Sequence, residues 1–221
     1  MIVQLKEIKA ALLAALIVVG LGVQCTAARA APSEVLTVAG GCFWCVEADF
    51  ERVQGVHEVV SGYTGGTLKN PSYDDVTTGG TGHYEAVQIR YDPAKVTEKT
   101  LLHMFFRSID PTDAGGQFCD RGESYRTAIF VEDANQRAAA KAARTEAEEA
   151  LGQAIVTPIL QAGPFYKAET YHQDYYKGQD LVLTRRGPKT KAAAYKFYRK
   201  GCLRDERVKE LWGAEAPFAG S

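Results

Sequence analysis

Two adjacent glycines, Gly40 and Gly41, stand between segments of opposite periodicity, and no other feature of the chain restricts its fold so tightly. Before them, "SEVLTVA" is a short β-prone run. After them the apolar residues fall at Phe43, Val46, Phe50 and Val53, the spacing of a helix. A strand must therefore become a helix within two residues, which is a turn that glycine permits. The turn delivers Cys42 to the helix start, where unpaired amides and the helix dipole favour an anion. A lowered thiol pKa is what a cysteine nucleophile requires, so Cys42 is expected to be one. A lone cysteine is more often a core residue, but the glycine turn lifts Cys42 above that reading. Phe43 belongs to the core stripe, whereas Trp44 lies off it, and a tryptophan beside a reactive thiol suggests a pocket for a small apolar group.

Cys45 completes a C-x-x-C pair, the spacing of thioredoxin-like redox sites. A redox partner and a buried accessory thiol are equally good readings of it. Zinc is disfavoured, because Cys119 and Cys202 are isolated and supply no second ligand pair. No metal or organic cofactor is expected.

The remaining pattern is that of one domain. "VHEVVSGYTGG" and "TGHYEAVQIRYDP" read as strands, the second with clean alternation. "VTEKTLLHMFFRSI" is an amphipathic helix with Thr97 as its cap. "SYRTAIFV" is a strand opened by Tyr125, "DANQRAAAKAARTEAEEALG" an exposed helix ending at a glycine, and "AIVTPILQA" an edge strand. "KAETYHQDYYKG" looks helical, and "LRDERVKELWG" is a candidate last helix. The order β-α-β-β-α-β predicts an α+β fold, a ferredoxin-like α/β sandwich on a mixed sheet. A long irregular C-terminal segment is expected from about residue 187.

The first thirty residues differ from the rest. Lys6 and Lys9 precede an apolar run from Ala10 to Val23, and small residues stand at Ala28 and Ala30. That is the pattern of a cleavable signal peptide over residues 1–30, and the run is short of the roughly 20 residues that a membrane span needs. Export, to the periplasm, is expected, with residues 31–221 as the mature domain. Cleavage would remove Lys6, Lys9 and Arg29 against Glu7, shifting the formal net charge from −1 to −3. Neither nucleic acid nor a lasting membrane contact is then an expected partner.

Two further stretches carry chemistry. In "GHYEAVQI" the alternation puts His83, Glu85, Val87 and Ile89 on one face, so Glu85 shares an otherwise apolar face. Burial there would raise its pKa and keep it protonated as a general acid; a solvent-facing position at the sheet end is the equal alternative. In "GGQFCDRGESYRTAIF", Asp120, Arg121 and Glu123 crowd a glycine-rich loop.

Together these stretches resemble the A-type peptide methionine sulfoxide reductases. The resemblance rests on "GCFWCVE", "GYTGG", "NPSY" followed by "GGTGHYEAV", "DRGESYRTAIF" and "FYKAETYHQDYY", in that order, from about Leu36 to Tyr176. It implies Cys42 as nucleophile toward the sulfur of methionine-S-sulfoxide, with Phe43 and Trp44 holding the substrate methyl group. It implies Glu85 as the acid, Tyr73 and Tyr125 as hydrogen-bond donors to the sulfoxide oxygen, and Asp120 as a polar site residue. Methionine would leave, a sulfenic acid on Cys42 would condense with a second cysteine, and a thioredoxin-like reductant would open the disulfide. Oxidised proteins or peptides are the implied substrates, and a monomer is assumed. The family often has Gly at the position of Cys45 and Asn at that of Cys119. Cys202 is the candidate for a C-terminal resolving cysteine, with Cys45 and Cys119 as its rivals. His172 and Tyr175 fall in a matching motif with weaker claims. An exported C-x-x-C thiol–disulfide oxidoreductase is the competing function; it has no need of Glu85.

Overall fold

A computed structural model of the chain describes residues 33–220. The expected signal peptide lies outside the described residues. Ten strands and six α-helices follow in chain order: β1 (Glu34–Gly40), α1 (Phe43–Phe50), β2 (Val56–Thr64), α2 (Tyr73–Thr78), β3 (Tyr84–Tyr91) and α3 (Glu98–Phe106). After these come β4 (Gly116–Gln117), β5 (Asp120–Arg121), β6 (Thr127–Val131), α4 (Ala134–Leu151), β7 (Ile159–Gln161) and β8 (Tyr166–Lys167). The C-terminal part holds β9 (Leu181–Thr184), β10 (Gly187–Thr190), α5 (Lys191–Gly201) and α6 (Arg204–Trp212).

Six strands form one sheet in the order β7-β6-β1-β3-β2-β8. All neighbours are antiparallel except β6 and β7, so the sheet is mixed, as expected. Side-chain alternation sends Leu36, Val38, Val87, Ile89, Ile129 and Val131 into the main core, together with Phe43, Val46 and Phe50 of α1 and Leu101, Leu102, Phe105 and Phe106 of the α3 segment. The opposite face carries a smaller cluster of Ala39, Ala86, Ala128 and Phe130 beneath Leu160 and Phe165. β7 is an edge strand, and it begins just after Pro158, which therefore has no ladder bond to donate.

The helix signals were legible. The Thr97 hydroxyl accepts from Thr100 N–H at the start of α3, and α4 ends at Gly152 in the left-handed conformation, φ 62°. Three expectations need correction. "KAETYHQDYYKG" is not a continuous helix. It forms two 3₁₀ turns, Thr170–His172 and Tyr175–Lys177, because Asp174 between them is left-handed at φ 56° and donates its N–H to Glu47 Oε1 at 2.6 Å. Tyr125 closes a 3₁₀ turn ahead of β6 rather than opening the strand. The segment from residue 187 is regular rather than irregular: β10 completes a hairpin with β9, and α5 and α6 follow. Thr190 caps α5 by accepting from Ala193 N–H, and Tyr195 and Arg199, one turn apart, are both buried. Arg199 is paired there with Asp49, far away in sequence, so local composition gave no sign of it.

Candidate active site

The strand-to-helix turn is built as the glycines suggested. Gly41 takes φ 81°, and Cys42 is the residue that caps α1. The first helical amide, Phe43 N–H, does not serve the thiol. It donates to Glu85 Oε2 at 2.9 Å, which anchors the carboxyl of β3 under the helix start. Glu85 is therefore buried with the rest of its face, 2% exposed, and the solvent-facing alternative is ruled out.

Cys42, Phe43, Trp44, Tyr73, Glu85, Asp120, Tyr125 and Tyr198 line one hollow of about 60 Å³. Of the site residues read from the sequence, Cys45, Cys119 and Cys202 lie outside that lining, as do His172 and Tyr175, whose claims were weaker. The volume admits a group of a few heavy atoms. Its aromatic wall is rigid: Trp44 stacks on Tyr175 at 3.8 Å and an interplanar angle of 7°, and its indole N–H donates to His172 Nδ1 at 3.1 Å. Burial lowers the His172 pKa to about 4, so the ring is neutral and its Nδ1 is free to accept.

The electrostatics favour a protonated acid. Burial raises the Glu85 pKa to about 8, outweighing the Phe43 hydrogen bond that lowers it. Burial also raises Asp120, opposed by the hydroxyl of Tyr198, which donates to its Oδ2. Burial lifts Tyr73 to about 12 and Tyr125 further, so both phenols keep their protons, and they hydrogen-bond one another. Tyr63 O–H and Tyr73 N–H both bond the Glu169 carboxylate at 2.8 Å, which positions Tyr73 from behind.

The thiols depart from expectation. Cys42 is 6% exposed, and burial, the neighbouring Cys45 and the acids Glu85 and Asp120 push its pKa well up rather than down. The helix start cannot offset this, since its leading amide is bonded to Glu85. Cys45 is the sulfur whose pKa falls, first through the hydrogen bond from Cys42 and then through Arg204 and Arg199, against the cost of burial. Cys202 is joined to Cys119 by a disulfide, while Cys42 and Cys45 are free. The two bonded sulfurs and Asp120 lie within 4.8 Å of one another, but a disulfide leaves no thiolate for a metal.

Sequence reasoning did not single out Tyr198, Tyr63, Glu169, Arg199 or Arg204. Tyr198 stands four residues before Cys202 on α5, so a helical reading of that segment would have placed the two on one face. Arg121 pairs with Asp113 at the exposed edge of the loop.

Comparison with known proteins agrees with this geometry. Residues 34–202 match the family model described as peptide methionine sulfoxide reductase. The chain is 50% identical over 194 residues to peptide methionine sulfoxide reductase MsrA 2 of Caulobacter vibrioides, covering 87% of this chain and 92% of that protein. It is 46% identical over 184 residues to MsrA of Bacillus subtilis, covering 82% and 97%. Among solved structures it resembles reduced Mxr1 of Saccharomyces cerevisiae with a TM-score of 0.63 at 30% identity, over 66% of this chain and 86% of that one. It also resembles methionine sulfoxide reductase A of Corynebacterium diphtheriae, with a TM-score of 0.59 at 29% identity, over 71% and 84%.

Proposed function

The chain belongs to the A-type peptide methionine sulfoxide reductases, and on that premise we propose that its hollow reduces methionine-S-sulfoxide to methionine. The observation that carries the assignment of roles is the pairing of Cys42 with a buried, protonated Glu85 in a hollow walled by Phe43 and Trp44. A sulfoxide is neutral, and its oxygen leaves only once protonated. Glu85 gives that proton, Tyr73 and Tyr125 donate hydrogen bonds to the same oxygen, and the Cys42 sulfur attacks the sulfoxide sulfur. The substrate methyl group rests against Trp44 and Phe43. Methionine departs, and Cys42 is left as a sulfenic acid. A second cysteine converts it to an intramolecular disulfide with release of water, and a thioredoxin-like dithiol reduces that disulfide.

Oxidised proteins and peptides are the proposed substrates, met by a monomer on the exported side of the membrane. The apolar run and the Ala28/Ala30 pattern of residues 1–30 support export; a mature N-terminus at residue 31 in an envelope fraction checks it.

Single turnover without reductant tests the reaction. The expected result is one methionine released per enzyme from the S epimer and none from the R epimer. Turnover of protein disulfides with no methionine released would overturn the proposal in favour of a C-x-x-C thiol–disulfide oxidoreductase.

A further inference from the structure

One wall of the hollow comes from a part of the chain that the sequence motifs do not reach. Among the described residues that line it, Tyr198 of α5 alone follows residue 125. Its hydroxyl donates to Asp120 Oδ2, so that proton is already committed. What Tyr198 offers the hollow is therefore its ring. The ring meets the Trp44 indole edge-on, with centroids 6.3 Å apart and an interplanar angle of 82°. Phe43 stands 6.3 Å from the same indole, and Tyr175 stacks on it at 3.8 Å. The aromatic wall thus has three rings in contact with the hollow: Phe43, Trp44 and Tyr198.

Two tethers join the same pair of segments and hold that ring in place. Asp120 takes the Tyr198 hydroxyl, and Cys119, the residue before Asp120, is bonded to Cys202, one helical turn after Tyr198. Arg199, the next residue of α5, is 5% exposed and bonds Asp49 Oδ1 at 2.8 Å and Asp205 Oδ1 at 2.9 Å. A ring fixed at its hydroxyl and at its backbone does not swing aside, so the space beside Trp44 has a set width. Packing of this kind resists even one added methylene.

A sulfoxide sulfur carries three groups that the hollow must sort: the oxygen, a small alkyl group, and the chain that leads to the substrate backbone. Glu85, Tyr73 and Tyr125 take the oxygen, and Phe43 and Trp44 take the alkyl group. Resting on the reductase reading above, we infer that Tyr198 sets the permitted length of that alkyl group, its ring closing the pocket beside Trp44 so that an S-methyl sulfoxide fits and an S-ethyl or S-propyl sulfoxide meets the phenol. Tyr198 is thus a specificity-determining residue supplied by the C-terminal helix, and the class it selects is the methyl sulfoxides. The size of the hollow agrees, since about 60 Å³ leaves little room beyond sulfur, oxygen and one carbon.

Competition among the S epimers of N-acetylated methionine sulfoxide, ethionine sulfoxide and the S-propyl homologue, read as ratios of kcat/KM for thioether release, tests this. Wild type is expected to favour the methyl over the ethyl substrate by about 10- to 200-fold, the worth of one methylene in a fitted pocket. Tyr198→Ala should reduce that preference by about tenfold or more. Tyr198→Phe should keep it, since the ring stays and only the bond to Asp120 is lost. A residue that merely supported the fold would slow all three substrates alike and leave the ratios unmoved. Tyr198→Leu, which keeps apolar packing on α5 without a ring, carries the same expectation as Tyr198→Ala and serves if the alanine variant does not fold. Equal use of methyl and ethyl substrates by wild type, unmoved ratios in the folded ring-less variant, or a loss of preference in Tyr198→Phe as large as that on removing the ring overturns this inference alone. No thioether released by wild type from any of the three overturns the reductase reading and this inference with it.

Discussion

The Phe43 amide donates to Glu85 Oε2 at 2.9 Å, so the leading amide of α1 holds a carboxyl rather than a thiolate. This one bond couples the helix to β3 and sets the acid beside the nucleophile. It also explains why Cys42 rests protonated. The positive end of the helix is partly satisfied by Glu85, and the buried thiol is left with burial and acidic neighbours acting on it.

Glu85→Gln is expected to lower the rate of methionine release by about 10² to 10⁴, the range of a lost general acid. In wild type the rate should fall as pH rises through about 8, where Glu85 loses its proton, and that falling limb should vanish in the variant. Single-turnover rates between pH 5 and 10 check both. A retained limb in the Gln variant would assign the acid elsewhere.

The same carboxyl weakens the fold. Its folded pKa of about 8 lies above the unfolded value of 4.5, so the folded state holds a proton that the unfolded chain releases. Stability is full below about pH 4.5 and declines toward pH 8, by up to about 1.4 kcal/mol per unit. Relative to Glu85→Gln, wild type should therefore lose stability across that window. Denaturant melts of both proteins at pH 5 and 7.5 measure it, and parallel curves would mean that Glu85 ionises normally.

His172→Ala removes the acceptor of the Trp44 indole N–H. One lost hydrogen bond of about 1 kcal/mol loosens the methyl wall, and KM should rise about fivefold while kcat changes little. Since burial holds the imidazole neutral down to about pH 4, the wild-type KM should not titrate through the usual histidine range. Steady-state kinetics from pH 5 to 8 decide this.

Cys119→Ser opens the bond that ties the β4–β5 loop to the end of α5 across 83 residues of chain. Chain-entropy reasoning gives a loss of about 2–4 kcal/mol in unfolding free energy. Cys42→Ser, which breaks no disulfide, should unfold near wild type. Urea titration of the two variants under non-reducing conditions compares them.

Much of this site was legible because its parts lie in short local patterns. The glycine turn, the helical stripe and the alternation around Glu85 each declare a backbone geometry, and that geometry sets which side chains can meet. What stayed hidden depends on distant contacts. The lowered pKa of Cys45, which begins with its neighbour Cys42, draws also on Arg204 and Arg199, which arrive from helices more than 150 residues downstream. The "YHQDYY" stretch has helical composition, but Glu47 draws the Asp174 amide into a turn that splits it. Tyr198 reaches Asp120 only because α5 is regular, and its regularity rests on buried Arg199 meeting Asp49.

Gly41→Ala probes the turn on which everything else depends. Gly41 has φ 81°, where a Cβ costs about 1–2 kcal/mol in its own right. The added carbon would also stand 2.5 Å from Gln117 Cβ. Gln117 cannot move aside, because its amide is held at both ends: Nε2 donates to the Asp110 carbonyl at 2.8 Å, and Oε1 accepts from Asp110 N–H at 2.9 Å. The turn must shift instead, and Cys42, the next residue, shifts with it. Strain and overpacking together should cost about 2–4 kcal/mol, which for a domain of this size lowers Tm by about 5–12 °C. Methionine release should fall well beyond what the lost stability explains, since a displacement of about 1 Å at a reacting group can cost about 10²-fold. Calorimetry and single-turnover rates measured on the folded fraction separate the two effects. A folded Gly41→Ala protein with wild-type turnover would show that the turn does not set the position of Cys42.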